Sequence, residues 1–326
     1  MKIAEVSKRY GVSTDTLRYY ERIGLLRHVP RNKSGIRDYD EASCNAVEFV
    51  KCMRDAGMSI ESLVEYMELL EQGDETTAAR KELLLRQGDE IRERIAAGCR
   101  DSRELGLDPK VLSYILQNGL YGSDVRDWVY DEAKFVETAR RLEKPGRFQH
   151  SMNVADRAEE LAGIYGENPY LCRIAGILHD VCKNLPEEEQ FSLVKRLRGP
   201  IKNDIMNDNS FGLVPPIWHG PAAAAYIWET LGVYNREILY GVAYHTTGRA
   251  GMSLFEKIVY IADLTSAERD YPDALEVREL ADRDLDAALR CSLEFTLKKM
   301  RANATPMTRD TLEIMREYGI DCGEYC

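Results

Sequence analysis

Four of the chain's five histidines, His150, His179, His219 and His245, fall within about a hundred residues of one another. Each borders a segment whose apolar residues recur at three- and four-residue steps, the spacing of a helix with one buried face. Residues 171–178 are strongly apolar and deliver the pair His179-Asp180. Residues 238–244 deliver His245, residues 222–231 follow His219, residues 151–165 follow His150, and residues 254–262 deliver Asp263. A chain of this kind folds with several helix ends converging on one point. A lone buried histidine is usually a hydrogen-bonded core group. Four of them with two acids form the neutral-imidazole and carboxylate set that divalent transition metals bind. The fifth, His28, lies in a different part of the chain.

At 326 residues the length predicts two domains. Charge divides the chain the same way. Residues 1–39 hold nine Lys and Arg against four Asp and Glu, a balance of +5, whereas the whole chain stands at −11 and the remainder therefore at −16. A basic head on an acidic body predicts that only the head meets a polyanion. There is no apolar run of membrane-spanning length and no signal peptide, so a cytoplasmic protein without a membrane partner is expected. None of the eight cysteines forms a C-x-x-C pair, and several sit in apolar helical patterns, which predicts reduced thiols.

In the head, residues 2–10 read as a short helix that Gly11 breaks. Ser13 is a good N-cap for a second helix to about residue 23, with Asp15 in the favoured first turn. Helix, tight turn and helix make a helix-turn-helix. The second helix offers Thr14, Thr16, Arg18, Tyr19 and Arg22, residue types that reach phosphates and base edges in a major groove. The basic stretch 31–37 that follows is too short and polar for a helix and suits a β-wing. The run Ser13-Thr14-Asp15-Thr16-Leu17-Arg18-Tyr19-Tyr20-Glu21-Arg22-Ile23-Gly24-Leu25-Leu26, with Gly35-Ile36-Arg37-Asp38-Tyr39 after it, resembles the MerR family of transcription regulators. The resemblance implies a winged helix-turn-helix over residues 1–72 that binds double-stranded DNA through Thr14, Thr16, Arg18, Tyr19, Tyr20 and Arg37. Ile36 departs from it, because an aromatic usually precedes the wing arginine.

Two further helices are expected, capped by Asp40 and Ser59. A charged helix follows over residues 76–97, with Leu84, Ile91 and Ile95 spaced as a dimer seam would be. The MerR resemblance implies that this helix, within a dimerisation segment 73–100, pairs with its twin in a homodimer. Cys99 has no Cys or His partner nearby, which excludes a thiolate metal sensor. Residues 101–130 read as a connector with one short helix.

From residue 131 to the end the chain reads as all-helical. The runs Arg147-Phe148-Gln149-His150, His179-Asp180-Val181-Cys182-Lys183, Trp218-His219-Gly220-Pro221 and Tyr244-His245-Thr246-Thr247-Gly248-Arg249, with Ala262-Asp263, resemble the HD-domain phosphohydrolases, and most closely those of the YqeK type. That family splits diadenosine tetraphosphate symmetrically into two ADP at a two-metal site. The resemblance implies that His150, His179, Asp180 and Asp263 hold one metal and that His219 and His245 hold a second, with Asp180 bridging. Two divalent ions per subunit follow, iron above all and manganese as the alternative. Lys183, Thr246, Thr247 and Arg249 would neutralise polyphosphate charge beside Asp180. Ser266-Ala267 stands where that family usually has Glu-Pro before Arg269, and Gly220 replaces a common Ala. The expectation is thus a mainly α protein: a winged helix-turn-helix head with a dimerisation helix, then an all-helical HD domain over residues 131–326 that hydrolyses a dinucleoside polyphosphate. The alternative is a transcription regulator whose HD domain mainly senses the nucleotide.

Overall fold

The computed structural model describes residues 1–125, 128–197 and 215–323. The chain divides into two compact units, Met1–Trp128 and Val129–Cys326. Both are helical. Among the described residues the only β pairings are two isolated bridges, Arg31 with Arg37 and Ala56 with Leu107.

In the N-terminal unit, α1 (Ile3–Tyr10) ends at Gly11, and the Ser13 hydroxyl accepts from the Thr16 amide to start α2 (Thr14–Arg22). Asp40 and Ser59 cap α3 (Glu41–Asp55) and α4 (Ile60–Glu71) in the same way. Each cap satisfies an amide that the helix itself leaves without a partner, so the helix starts are set by local sequence. Val6, Leu17, Leu26, Tyr39 and Val47 bury one core, and Leu25, Val50, Met58, Leu63 and Leu83 a second. The expected wing is a tight turn rather than a pair of strands. The Asn32 amide donates to the Ile36 carbonyl at 2.8 Å, and one bridge closes the loop.

α5 (Thr77–Ala96) corrects one expectation. Ile95 is fully buried, but within its own chain: it packs with Leu105, Leu107, Leu112, Ile115 and Leu116, and Ile91 packs partly against the same cluster. The segment read as a connector with one short helix carries two, α6 (Ser102–Leu105) and α7 (Pro109–Gln117), and these cover the end of α5. Of the predicted seam, Leu84 stays open to solvent, with Leu85 beside it.

The C-terminal unit runs α8 (Glu132–Leu142), α9 (Pro145–Tyr165), α10 (Pro169–Leu178), α11 (Glu187–Lys195), α12 (His219–Tyr226), a π-helical turn (Ile227–Leu231), α13 (Arg236–Tyr244), α14 (Leu254–Thr265), α15 (Pro272–Ala281), α16 (Leu285–Asn303) and α17 (Arg309–Glu317). α9 begins earlier than its apolar pattern implied, so His150 lies inside the helix, not ahead of it. Likewise His219 opens α12. Two glycines decide how closely these helices approach. A Cβ on Gly176 would sit 2.5 Å from the Ala155 Cα, and one on Gly220 would sit 2.7 Å from the Ala243 carbonyl oxygen. The first contact joins α9 to α10 and so brings His150 near His179. The second joins α12 to α13 and so brings His219 near His245. No described helix is long and apolar enough to cross a membrane.

Candidate metal centre

All four histidines of the body are buried, and so is Asp180. Three of the rings are held in the same way. The Nδ1–H of His179 donates to the Gly176 carbonyl at 2.7 Å, that of His245 to the Val242 carbonyl at 2.7 Å, and that of His219 to the Pro216 carbonyl at 2.8 Å. In each case the acceptor is three residues upstream, within the turn that carries the ring. A carbonyl can only accept, so Nδ1 carries the proton and Nε2 is left with a lone pair.

Those lone pairs converge. The Nε2 atoms of His219 and His245 face each other at 3.1 Å, and both lie near Asp180 Oδ1, at 3.3 and 3.5 Å. The other oxygen, Oδ2, lies 3.5 Å from His179 Nε2. His150 Nε2 lies 2.9 Å from Asp263 Oδ1. His179 Nε2 and Asp180 Oδ1 are buried without a hydrogen-bond partner. Acceptor facing acceptor in a dry site is repulsive, and a cation relieves it. Ligand atoms of His150, His179 and Asp180, of His179, His245 and Asp263, and of Asp180, His219 and His245 form three sets, each within 4.8 Å. The donor set therefore fits divalent cations.

Burial favours the neutral rings. It pushes His179 down to about 4 and His219 to about 3, so both are neutral ligands at pH 7. Burial alone would raise Asp180 and Asp263, yet the surrounding histidines hold both well below the usual carboxylate range. His150 is shifted the other way. Burial opposes its charge, but Asp263 and Glu268 flank the ring and raise it. Glu268 accepts from His150 Nδ1 and is fixed in turn by the Ser266 hydroxyl at 2.8 Å and the Asn153 amide at 2.6 Å. A carboxylate behind a ligating imidazole orients the ring and raises its basicity.

Of the four residues expected to meet phosphate, two lie at the centre. The Lys183 ammonium is 3.1 and 3.2 Å from the ring nitrogens of His219, and the Thr246 hydroxyl is 3.1 Å from His219 Nε2. Burial lowers the Lys183 pKa. Thr247 is buried, and its carbonyl accepts from the Thr311 hydroxyl of α17. Arg249 is engaged elsewhere. It makes a bidentate pair with the buried Glu256 at 2.6 and 2.7 Å and lies over the rings of Tyr240 and Tyr244. That arrangement is a structural tie for the start of α14.

Sequence reasoning gave no role to three residues beside the centre. Arg147, one turn before His150, donates to Asp180 Oδ2 at 2.9 Å; Arg269 donates to Asp263 Oδ1 at 3.0 Å; Glu268 holds His150. For Arg147 a signal existed: an i, i+3 neighbour of a ligand shares its helix face.

In the head, Arg18 and Arg22 are exposed on α2, and Thr14, Thr16 and Tyr19 are partly so. Tyr20 packs against both head cores. Arg18 pairs with Asp15 at 2.6 Å, while Arg31 and Arg37 both pair with Glu21, which ties the wing turn to α2.

Comparison with known proteins finds the MerR HTH family regulatory protein pattern over residues 1–70 and the HD domain over residues 147–268. The bis(5'-nucleosyl)-tetraphosphatase, symmetrical, of Bacillus subtilis (strain 168) is 35% identical over 165 residues, covering 51% of this chain and 85% of that protein. The HTH-type transcriptional regulator AdhR of the same organism is 56% identical over 84 residues, covering 26% of this chain. The matched part spans 60% of AdhR's own length. A crystal structure of a predicted HD superfamily hydrolase involved in NAD metabolism from Clostridium acetobutylicum superposes with a TM-score of 0.51 at 32% identity, covering 59% of this chain and 97% of that one.

Proposed function

The chain belongs to the HD-domain family of symmetrical bis(5'-nucleosyl)-tetraphosphatases and carries a MerR-type regulatory head, and on that premise we propose that it is a DNA-binding, metal-dependent hydrolase that cleaves diadenosine tetraphosphate into two ADP. The observation that carries the reading is the convergence of His219 and His245 Nε2 on Asp180, with every Nδ1 in that trio's rings already bonded to a carbonyl. His150, His179, Asp180 and Asp263 would hold one cation. His219 and His245 would hold the second, with Asp180 shared between them, since its two oxygens face different histidines. A His-rich, carboxylate-bridged set suits iron, or manganese, better than magnesium. Such cations supply polarisation of phosphoryl oxygens and an activated water at neutral pH.

The protein's own groups do the rest. Backbone carbonyls hold three imidazoles in one tautomer, and Glu268 holds the fourth. Lys183 and Thr246, at the His219 side, are placed to meet a phosphate oxygen with a cationic and a neutral donor. The head would dock as a cytoplasmic homodimer on double-stranded DNA, with Thr14, Thr16, Arg18, Tyr19 and Arg37 at the duplex and Tyr20 supporting them from the core. The open Leu84 and Leu85 of α5 would face the twin subunit.

The deciding experiment is product analysis. Purified, metal-loaded protein incubated with diadenosine tetraphosphate should yield ADP alone. Absence of turnover, or release of AMP with ATP, would sink the reading. A titration of promoter DNA with and without a saturating non-hydrolysable analogue then asks whether body and head communicate. Coupling, where present, must be reciprocal and typically amounts to about 5–150-fold.

A further inference from the structure

Thr311 of α17 lies 64 residues beyond Thr247, yet its hydroxyl donates to the Thr247 carbonyl at 3.0 Å. On the same helix the Glu317 carboxylate accepts from the Gly251 amide at 2.7 Å. Between the two, Ile314 covers Gly248, where an added Cβ would sit 3.2 Å from Ile314 Cδ1. Thr311, Ile314 and Glu317 recur every three residues and so share one face of the helix. That face meets residues 247–251, the turn directly after His245 and Thr246. We propose that α17 is a strap for this turn, and that Thr311 and Glu317 are positioning residues for the His219–His245 half of the centre. The proposal deepens the hydrolase reading and rests on it for the reaction that this half serves.

The turn needs holding. Gly248 and Gly251 take positive φ, +63° and +66°, so the chain reverses after α13 on two residues that carry no side chain to pack. Arg249 ties the middle of the turn to Glu256, and Thr247, next to Thr246, is held from α17. What depends on the turn is close-set. The Thr246 hydroxyl lies 3.1 Å from His219 Nε2, and His245 Nε2 faces the same atom at 3.1 Å. A misplacement of about 1 Å at such a centre can cost about a hundredfold in rate. The strap acts through a directed chain of hydroxyls. A carbonyl only accepts, so the Thr311 proton goes to Thr247. The Thr308 hydroxyl, 3.0 Å from Thr311 Oγ1, then donates to it, while its own oxygen accepts from the Thr311 amide at 3.2 Å. Both threonines are buried, where each bond of such a chain strengthens the next.

The strap is itself anchored. Tyr318, which caps the end of α17, donates to Asp286 of α16, and Lys257 of α14 donates to the same oxygen at 2.8 Å. Ile314 and Met315 are buried to 1% and 0% exposure, so the helix is packed down along its length as well as tied at its end. α14 carries both Lys257 and Asp263. The strap is thus fixed to the helix that supplies a ligand to the other half of the centre.

If α17 only adds packing, cutting one of its bonds should lower the melting temperature and leave the centre's properties alone. Full-length protein and its Thr311→Val, Thr311→Ser and Glu317→Ala variants should be compared by competition between a chelator and manganese, by kcat and KM for diadenosine tetraphosphate, and by melting. Thr311→Val keeps the shape of the side chain and removes the hydroxyl. It should weaken one of the two metal positions about tenfold, leave the other unchanged, and lower kcat by a similar factor. Thr311→Ser should restore both, because the hydroxyl returns. Glu317→Ala cuts the exposed bond, should move the same quantities the same way by less, and carries the test alone if Thr311→Val does not fold. No change in manganese competition and kcat in these two variants, equal weakening of both positions, or a loss that Thr311→Ser does not reverse would overturn the proposal. If the parent protein fails to turn over the dinucleotide while one manganese position still depends on Thr311, the hydrolase reading falls and the strap stands.

Discussion

The head holds its candidate contacts in the open, and the body holds its candidate ligands in the dark. On α2, Arg18 is 52% exposed and pairs with an Asp15 that is itself 88% exposed. Such a surface pair is worth about 0–1 kcal/mol, so a DNA phosphate can replace the carboxylate at little cost. In the body, His179 is fully buried with an unpartnered Nε2, and Asp180 is 3% exposed. There the polar groups have been stripped of water and given no complete set of partners. A bound cation would satisfy these groups together. The lesson is that a recognition surface can be read and rewritten one residue at a time, whereas a buried centre answers as a unit.

That contrast breaks most visibly at Asp180. Asp180→Ala should lower metal content at both positions and cut turnover by on the order of a thousandfold or more, since polarisation by bound metal is worth several kcal/mol. If elemental analysis found one position still filled and turnover unchanged, the shared carboxylate would be the wrong assignment. One layer out, Glu268→Ala should weaken metal binding by about 10–100-fold, and Glu268→Gln by less, read by competition with a chelator. Equal affinity in all three proteins would reduce Glu268 to a bystander.

On the exposed side, Arg18→Ala should remove about 1–3 kcal/mol of promoter binding and leave hydrolysis at the parent level. A loss of hydrolysis in that variant would erase the distinction between the two regions. Arg249 tests the boundary between them. As a structural tie to Glu256, its replacement by Ala should lower stability by about 1–3 kcal/mol through the unpaired buried carboxylate, with KM unchanged. A raised KM at constant melting temperature would return Arg249 to the substrate.

The smallest effect concerns Glu143. It is buried, accepts from the Ser151 hydroxyl at 2.9 Å, and leaves Oε1 without a partner. Burial raises its pKa from an ordinary 4.5 to about 7. The folded state therefore binds this proton more tightly than the unfolded chain, and stability falls as pH rises from about 4.5 to 7. In metal-stripped protein, Glu143→Gln should melt higher than the parent at pH 8 and close to it at pH 5. Parallel melting curves at both values would show that the carboxyl is hydrated or paired.

By itself the sequence determined the helical class, the basic head, the capped helix starts at Ser13, Asp40 and Ser59, and the six residues that meet at the centre. These are legible because caps and apolar periodicity act within a few residues, and because each candidate ligand borders a strongly apolar helix. Only the tertiary structure decided which groups stand behind the ligands. Glu268 serves His150 from 118 residues away. Arg249 answers to Glu256 rather than to the centre, Ile95 is covered by α6 and α7 instead of forming an open seam, and Arg147 and Arg269 flank a cavity whose walls come from the start of α9 and from the distant turn between α14 and α15. Such pairings depend on how closely helices approach, and here Gly176 and Gly220 set that distance by having no Cβ at all. A local pattern says which face of a helix is buried, but the partner across the contact is chosen by packing.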